Sequence, residues 1–117
     1  MAKYDHLPIF KKAYDLCFEI EQQINNFSRD YKYTIGTEIR QISHEIPALI
    51  MVANNHYDKK KYLEELWIKL EKLKLLIRLA FDLKCLKSLK HYELLSGILT
   101  EISRQNEGWL KSASRQN

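Results

Sequence analysis

Lys59–Leu86 reads KKKYLEELWIKLEKLKLLIRLAFDLKCL, with neither glycine nor proline to interrupt it. Leu63, Leu66, Leu70, Leu73, Ile77 and Ala80 recur in alternating steps of three and four. That spacing is the apolar seam of a helix packed in a bundle. A second set, Ile68, Leu75, Leu79, Leu83 and Leu86, falls on another side of the same helix. A helix apolar on two sides needs two partners in its own chain, or one from another chain. Trp67, four residues after Leu63, sits at the edge of the main seam and reads as a packing or interface residue.

The flanking sequence supplies the partners. Asn54–Asp58 reads as a turn, with Asp58 suited to cap the helix that follows. Before it, Ile35, Ile39, Ile42, Ile46, Leu49 and Ala53 trace a stripe, which predicts a helix over 33–55. Pro47 removes one hydrogen bond there, yet the periodicity runs through it, so the expectation is a kinked helix and not a break. Nearer the N-terminus, Ile9, Ala13, Leu16, Ile20, Ile24 and Phe27 predict a helix over 8–27, with Pro8 at a position that tolerates a missing N–H. After the long helix, Ser88 is placed to cap another over 89–112, buried through Leu95, Ile98, Ile102 and Trp109. Gly97 within it predicts a close helix approach, and Gly108 either tight packing beside Trp109 or fraying. The fold class is therefore all-α. Short connections predict an antiparallel up-down-up-down four-helix bundle in one domain, residues 1–117.

Composition agrees with that class. Among 117 residues, three Gly and two Pro leave too little turn punctuation for an all-β fold. Cys17 and Cys85 lack Cys-x-x-Cys spacing, which points to buried thiols in a reducing compartment. No apolar run matches a signal peptide or a bilayer span, so the expected location is cytoplasmic, with no membrane partner.

The search for catalytic chemistry comes back empty. Ser43, His44 and Glu45 name nucleophile, base and acid, but adjacent helical residues point about 100° apart and form no relay. No Glu-x-x-His or His-x-x-x-His pair exists to hold a metal, and no glycine-rich loop exists to cradle a phosphate. The expectation is a protein that is not an enzyme, with no cofactor and no metal.

Charge is more informative. Residues 1–58 carry six Lys/Arg and eight Asp/Glu, while residues 59–90 carry ten against four. The formal net charge of +4 is thus produced by the long helix and the turn after it. Lys59, Lys60 and Lys61 open that helix, where cations oppose its macrodipole; Lys84, Lys87 and Lys90 close it. Glu65–Lys69, Glu71–Lys74 and Arg78–Asp82 have the spacing of ordinary surface pairs. The candidate contacts for a phosphate backbone are Lys59, Lys60, Lys61, Lys69, Lys72, Lys84, Lys87 and Lys90, with the two end clusters foremost. Tyr31, Tyr33, Tyr57, Tyr62 and Tyr92 lie near predicted helix ends, placed either to stack on bases or to cover the bundle's ends.

Three segments carry a family resemblance: Tyr31-Lys32-Tyr33-Thr34-Ile35-Gly36, the opening KKKYLEEL at Lys59–Leu66, and Gly108-Trp109-Leu110-Lys111-Ser112. With the helix layout, they resemble the accessory variability determinant family of diversity-generating retroelements, over about residues 4–112. The resemblance implies a bacterial or phage four-helix bundle assembled as a barrel-like homopentamer. It implies a non-catalytic protein that binds the retroelement's reverse transcriptase, with RNA and DNA, in mutagenic copying of a template RNA into cDNA. Leu75, Leu79 and Leu83, with Trp67 and Trp109, would then contribute to subunit contacts. Ile46-Pro47 also resembles the related proteins encoded in intervening sequences of 23S rRNA genes, although the Asn-Ile-Ala-Glu-Gly that follows there is replaced by Leu49-Ile50-Met51-Val52-Ala53. A structural oligomer that binds only protein is the remaining alternative.

Overall fold

The computed structural model describes residues 4–115, and every regular element among them is helical. The elements are α1 (Pro8–Asn25), α2 (Arg29–Lys32), α3 (Ile35–Asn54), α4 (Lys60–Asp82) and α5 (Leu89–Arg115). α3 and α5 each pack against both α1 and α4. The shape is elongated, 46 × 27 × 22 Å.

The core is built from the stripes that periodicity picks out. All six apolar residues named for the first helix are buried, and so are the six of the α4 seam. Ile50, Leu76 and Leu99 complete the packing. Leu49, Ile98 and Trp109 lie only partly covered against it. Asn106 takes a buried place in the α5 face between Ile102 and Ala113.

α3 runs unbroken through Pro47. A proline at that position leaves the Ser43 carbonyl without its helical donor. The Cys17 thiol of α1 fills the gap, donating to that oxygen at 3.0 Å. Burial pushes the Cys17 thiol above its ordinary value, against the hydrogen bonding at Ser43.

The helix boundaries depart from the expected ones where caps intervene. α1 stops at Asn25, two residues early, because the Asn26 N–H turns back to Gln23 and Ile24 and its side-chain amide donates to the Gln22 carbonyl. The stretch between the first two expected helices contains the one-turn α2, and α3 starts at Ile35 instead of residue 33. Gly36 sits where space is tight: a Cβ would lie 3.1 Å from the Tyr31 carbonyl oxygen and 3.3 Å from Ile24, so its neighbours would have to give by a few tenths of an ångström. Gly97 and Gly108 face open space instead, so neither marks a close approach, and α5 continues past Gly108 to Arg115.

α4 ends at Asp82, four residues short of the expected end at Leu86. Lys84 adopts a left-handed conformation, φ 64°. Its N–H donates to the Phe81 carbonyl at 2.9 Å, and that of Cys85 donates to Ala80 at 2.8 Å. This is a Schellman cap, with lysine where glycine is usual. The reversal turns Cys85 and Leu86 into the core. Leu86 therefore belongs to the core and not to the second stripe. At the next start, the Ser88 hydroxyl accepts from the His91 N–H at 3.4 Å, as its capping role requires.

Candidate nucleic-acid interface

The eight lysines singled out by charge do not behave alike. Lys59, not Asp58, stands at the N-cap of α4, and its ammonium is directed backwards. It donates to the carbonyls of Ala53, Asn54 and His56 at 3.0, 3.2 and 2.7 Å. The charge thus closes the C-terminal end of α3, where the helix dipole favours a cation. Lys69 meets Glu45 of α3 at 3.3 Å, and not its helical neighbour Glu65. Lys60, Lys61, Lys72, Lys84, Lys87 and Lys90 meet no carboxylate among the described residues. The other expected pairs form, Lys74–Glu71 at 2.9 Å and Arg78–Asp82 at 3.2 Å.

Lys61 and Lys84 lie at opposite ends of α4, roughly 35 Å apart at the rise of an α-helix. The two clusters therefore cannot form one patch on one chain. At the Lys84 end, Phe27 and Leu86 line a single small cavity together with Ile24, Ile39 and Leu95. The loop carrying α2 and the α4–α5 turn consequently share that end. Arg29, Lys32 and the 70 % exposed Tyr33 join Lys87 and Lys90 there. Arg29 and Lys32 were missed by charge counting, because residues 1–58 are acidic in sum; the Tyr31-Lys32-Tyr33 run was the available signal. Among the tyrosines, Tyr33 and Tyr57 are exposed, whereas Tyr31, Tyr62 and Tyr92 pack against the core. Tyr92 stacks on Phe81 with ring centroids 4.6 Å apart, and Lys61 lies 4.8 Å from the Tyr62 ring centre.

Two apolar surfaces accompany these charges. Ile68, Leu75, Leu79 and Leu83 are exposed along α4, Leu75 to 66 %. Across the bundle, Tyr14, Cys17 and Phe18 of α1 line a 440 Å³ groove with Pro47 and His44 of α3. Trp67 is exposed but lines a different groove, between α4 and α5. Trp109 is partly buried beside Leu7 and Pro8.

The Ser43-His44-Glu45 run is dispersed as helical geometry requires. Ser43 donates to the Arg40 carbonyl at 2.8 Å, His44 lies 3.2 Å from Glu21, and Glu45 pairs with Lys69. Glu21 also receives Arg40, at 2.9 Å. No group of three or more His, Cys, Asp or Glu side chains is placed to hold a metal among the described residues. No helix among them is long and apolar enough to cross a membrane.

A family model described as bAvd-like matches residues 7–113, from the start of α1 almost to the end of α5. The chain belongs to the bAvd-like family. The match agrees with the resemblance to the accessory variability determinant proteins and covers all five helices. A search of curated proteins gave no match. For this bAvd-like chain, membership identifies an accessory-type protein.

Proposed function

We propose that this bAvd-like protein is a non-catalytic accessory factor of a diversity-generating retroelement, acting in the cytoplasm. It binds the reverse transcriptase and the backbone of template RNA or cDNA during mutagenic copying. The observation that carries the nucleic-acid part is the end formed by Arg29, Lys32, Lys84, Lys87 and Lys90, beside exposed Tyr33. Lysines without carboxylate partners neutralise phosphates and release counterions, and an exposed tyrosine offers a face on which bases stack.

In this reading the four long helices form an antiparallel up-down-up-down bundle. Pairings whose chain order runs in opposite directions support it: Cys17 with Ser43 and Glu21 with Arg40 between α1 and α3, and, between α4 and α5, Leu63 with Asn106 and, around one cavity, Ala80 with Leu95. The bundles assemble as a barrel-like homopentamer. Support comes from the two unlike apolar surfaces, the α4 ridge at Ile68, Leu75, Leu79 and Leu83 and the α1–α3 groove at Tyr14, Phe18 and Pro47. A ridge seated in the groove of the next copy is a head-to-tail contact, and such contacts close into a ring where the rotation between copies completes a circle. One edge of the ring then repeats the Lys84, Lys87 and Lys90 cluster around the circle.

Solution mass and gel shifts test the two parts separately. The wild type is expected at five times its 14.0 kDa chain mass. Leu75→Glu with Leu79→Glu is expected to fall to one chain with helicity retained. RNA binding by the wild type is expected to weaken steeply with salt. A monomeric wild type would end the ring; absence of an RNA shift at low salt would end the nucleic-acid role and leave a protein-binding oligomer.

A further inference from the structure

The groove between α4 and α5 has the opposite character to the lysine-rich end. Glu64 and Glu71 of α4 and Glu107 of α5 line it, with Trp67 and, in its wall, Ser103 and Asn106; its volume is 370 Å³. Among the described residues Lys74 is the one cation in the lining, and it is paired with Glu71. Three carboxylates against one ammonium make this an acidic spot on a chain of net charge +4.

Asn106 is the unusual member. Helical spacing from Leu95, Leu99 and Ile102 puts its side chain where an apolar residue belongs, and it is 1 % exposed. Its amide nitrogen donates to the Leu63 carbonyl at 3.2 Å. Among the described residues the amide oxygen has no donor, and the buried Ser103 hydroxyl one turn earlier has no partner. A buried polar group without a partner is costly, on the order of 1–3 kcal/mol, and leucine at this position would carry no such cost. Trp67 lines the same groove and is 54 % exposed.

We propose that this groove receives an arginine side chain from a protein partner. A guanidinium is planar, permanently charged and carries five N–H donors. It stacks on the face of Trp67, pairs with Glu64 or Glu107, and supplies a donor for the Asn106 oxygen as the side chain settles into the groove. Lysine offers a point charge without the plane, so it satisfies fewer of these groups. A nucleic-acid strand is repelled by the same carboxylates. The proposal stands independently of the retroelement reading, because it rests on a different face of the bundle.

The test uses the full chain and the capped peptide Gly-Arg-Gly, with citrulline, lysine and free spermidine as comparison probes. Proton–nitrogen NMR reads the Trp67 indole N–H and the Asn106 side-chain amide. Saturable shifts of both with the arginine peptide, and none with the citrulline peptide, are expected. Glu64→Gln with Glu107→Gln changes only exposed groups and is expected to weaken binding at least about tenfold, or 1.4 kcal/mol. Asn106→Leu is expected to abolish the shift of Trp67 while the melting temperature stays level or rises. Should Asn106→Leu fail to fold, the glutamine pair decides. No saturable shift, an equal response to citrulline, or tighter binding of spermidine would overturn the proposal.

Discussion

The two ends of α4 carry three lysines each in the sequence, yet the structure uses them differently. At the start, Lys59 is turned back onto three carbonyls of α3 and its charge is already engaged. Only Lys60 and Lys61 remain outward, with Lys61 beside the Tyr62 ring. At the far end Lys84 holds the helix cap through its backbone, which leaves its ammonium exposed along with those of Lys87 and Lys90. That end also gains Arg29 and Lys32 from a different part of the chain. Equal charge in the sequence therefore becomes unequal exposed charge: one lysine of the first cluster is engaged, while all three of the second stay exposed at the end that also carries Arg29 and Lys32.

The sharpest test neutralises the second cluster. Replacing Lys84, Lys87 and Lys90 by Gln is expected to reduce the slope of log affinity against log salt by about 2 on single-stranded RNA, read from filter binding over a salt series. Neutralising Lys60 and Lys61 is expected to reduce it by about 1, provided each contacts a phosphate. An equal or larger effect at the first cluster would break the comparison.

Lys59→Met separates structure from binding. It leaves three carbonyls at the end of α3 without their cation, so unfolding stability is expected to fall by about 1–2 kcal/mol in urea melts. RNA affinity is expected to stay within about twofold of wild type, against a tenfold step for each 1.4 kcal/mol. Retained stability with lost RNA binding would return Lys59 to the phosphate surface.

Lys84→Gly gives a smaller effect of opposite sign. The left-handed backbone at φ 64° is strained for lysine and natural for glycine. Stability is expected to rise by about 1 kcal/mol, with one fewer charge in the RNA salt slope. A fall in stability would show that the Lys84 side chain makes a contact worth more than the strain.

The smallest expected effect lies away from both ends and serves as a background against which they are read. Hydrogen bonds from Arg104 and then Gln105 hold the Glu101 carboxyl down at about 2. Its contribution is present above the ordinary carboxylate range and is lost as the pH falls toward that value. Arg104→Gln is expected to move the NMR titration midpoint of Glu101 upward while leaving RNA binding at neutral pH little changed.

Much of the fold was legible in the residues because burial on a helix has a period. The stripe from Ile9 to Phe27 and the seam from Leu63 to Ala80 needed only spacing to be found, and Ser88 needed only its hydroxyl before a helix. The helix ends were less legible. Lys84 has no composition that announces a left-handed cap, and the short α2 depends on how the Asn26–Thr34 link folds against α1 and α3. Gly97 and Gly36 make the same point. Both are glycines in helical sequence, but only Gly36 has a backbone carbonyl waiting where its Cβ would be.

The candidate site divides along the same line. Sequence alone determined that the chain is helical, that its excess positive charge falls between residues 59 and 90, and that α4 is apolar on more sides than its seam uses. Each of these is a property of order along the chain, where period and charge are fixed by covalent sequence. Only the tertiary structure decided which cations remain available, because hydrogen bonds and ion pairs such as Lys59 to α3 and Lys69 to Glu45 join groups from different helices. It also decided that Arg29 and Lys32 lie at the same end as Lys84, Lys87 and Lys90, and that Trp67 lines an acidic groove with Asn106. Those groupings arise when the helices pack side by side, and nothing in the linear spacing encodes them.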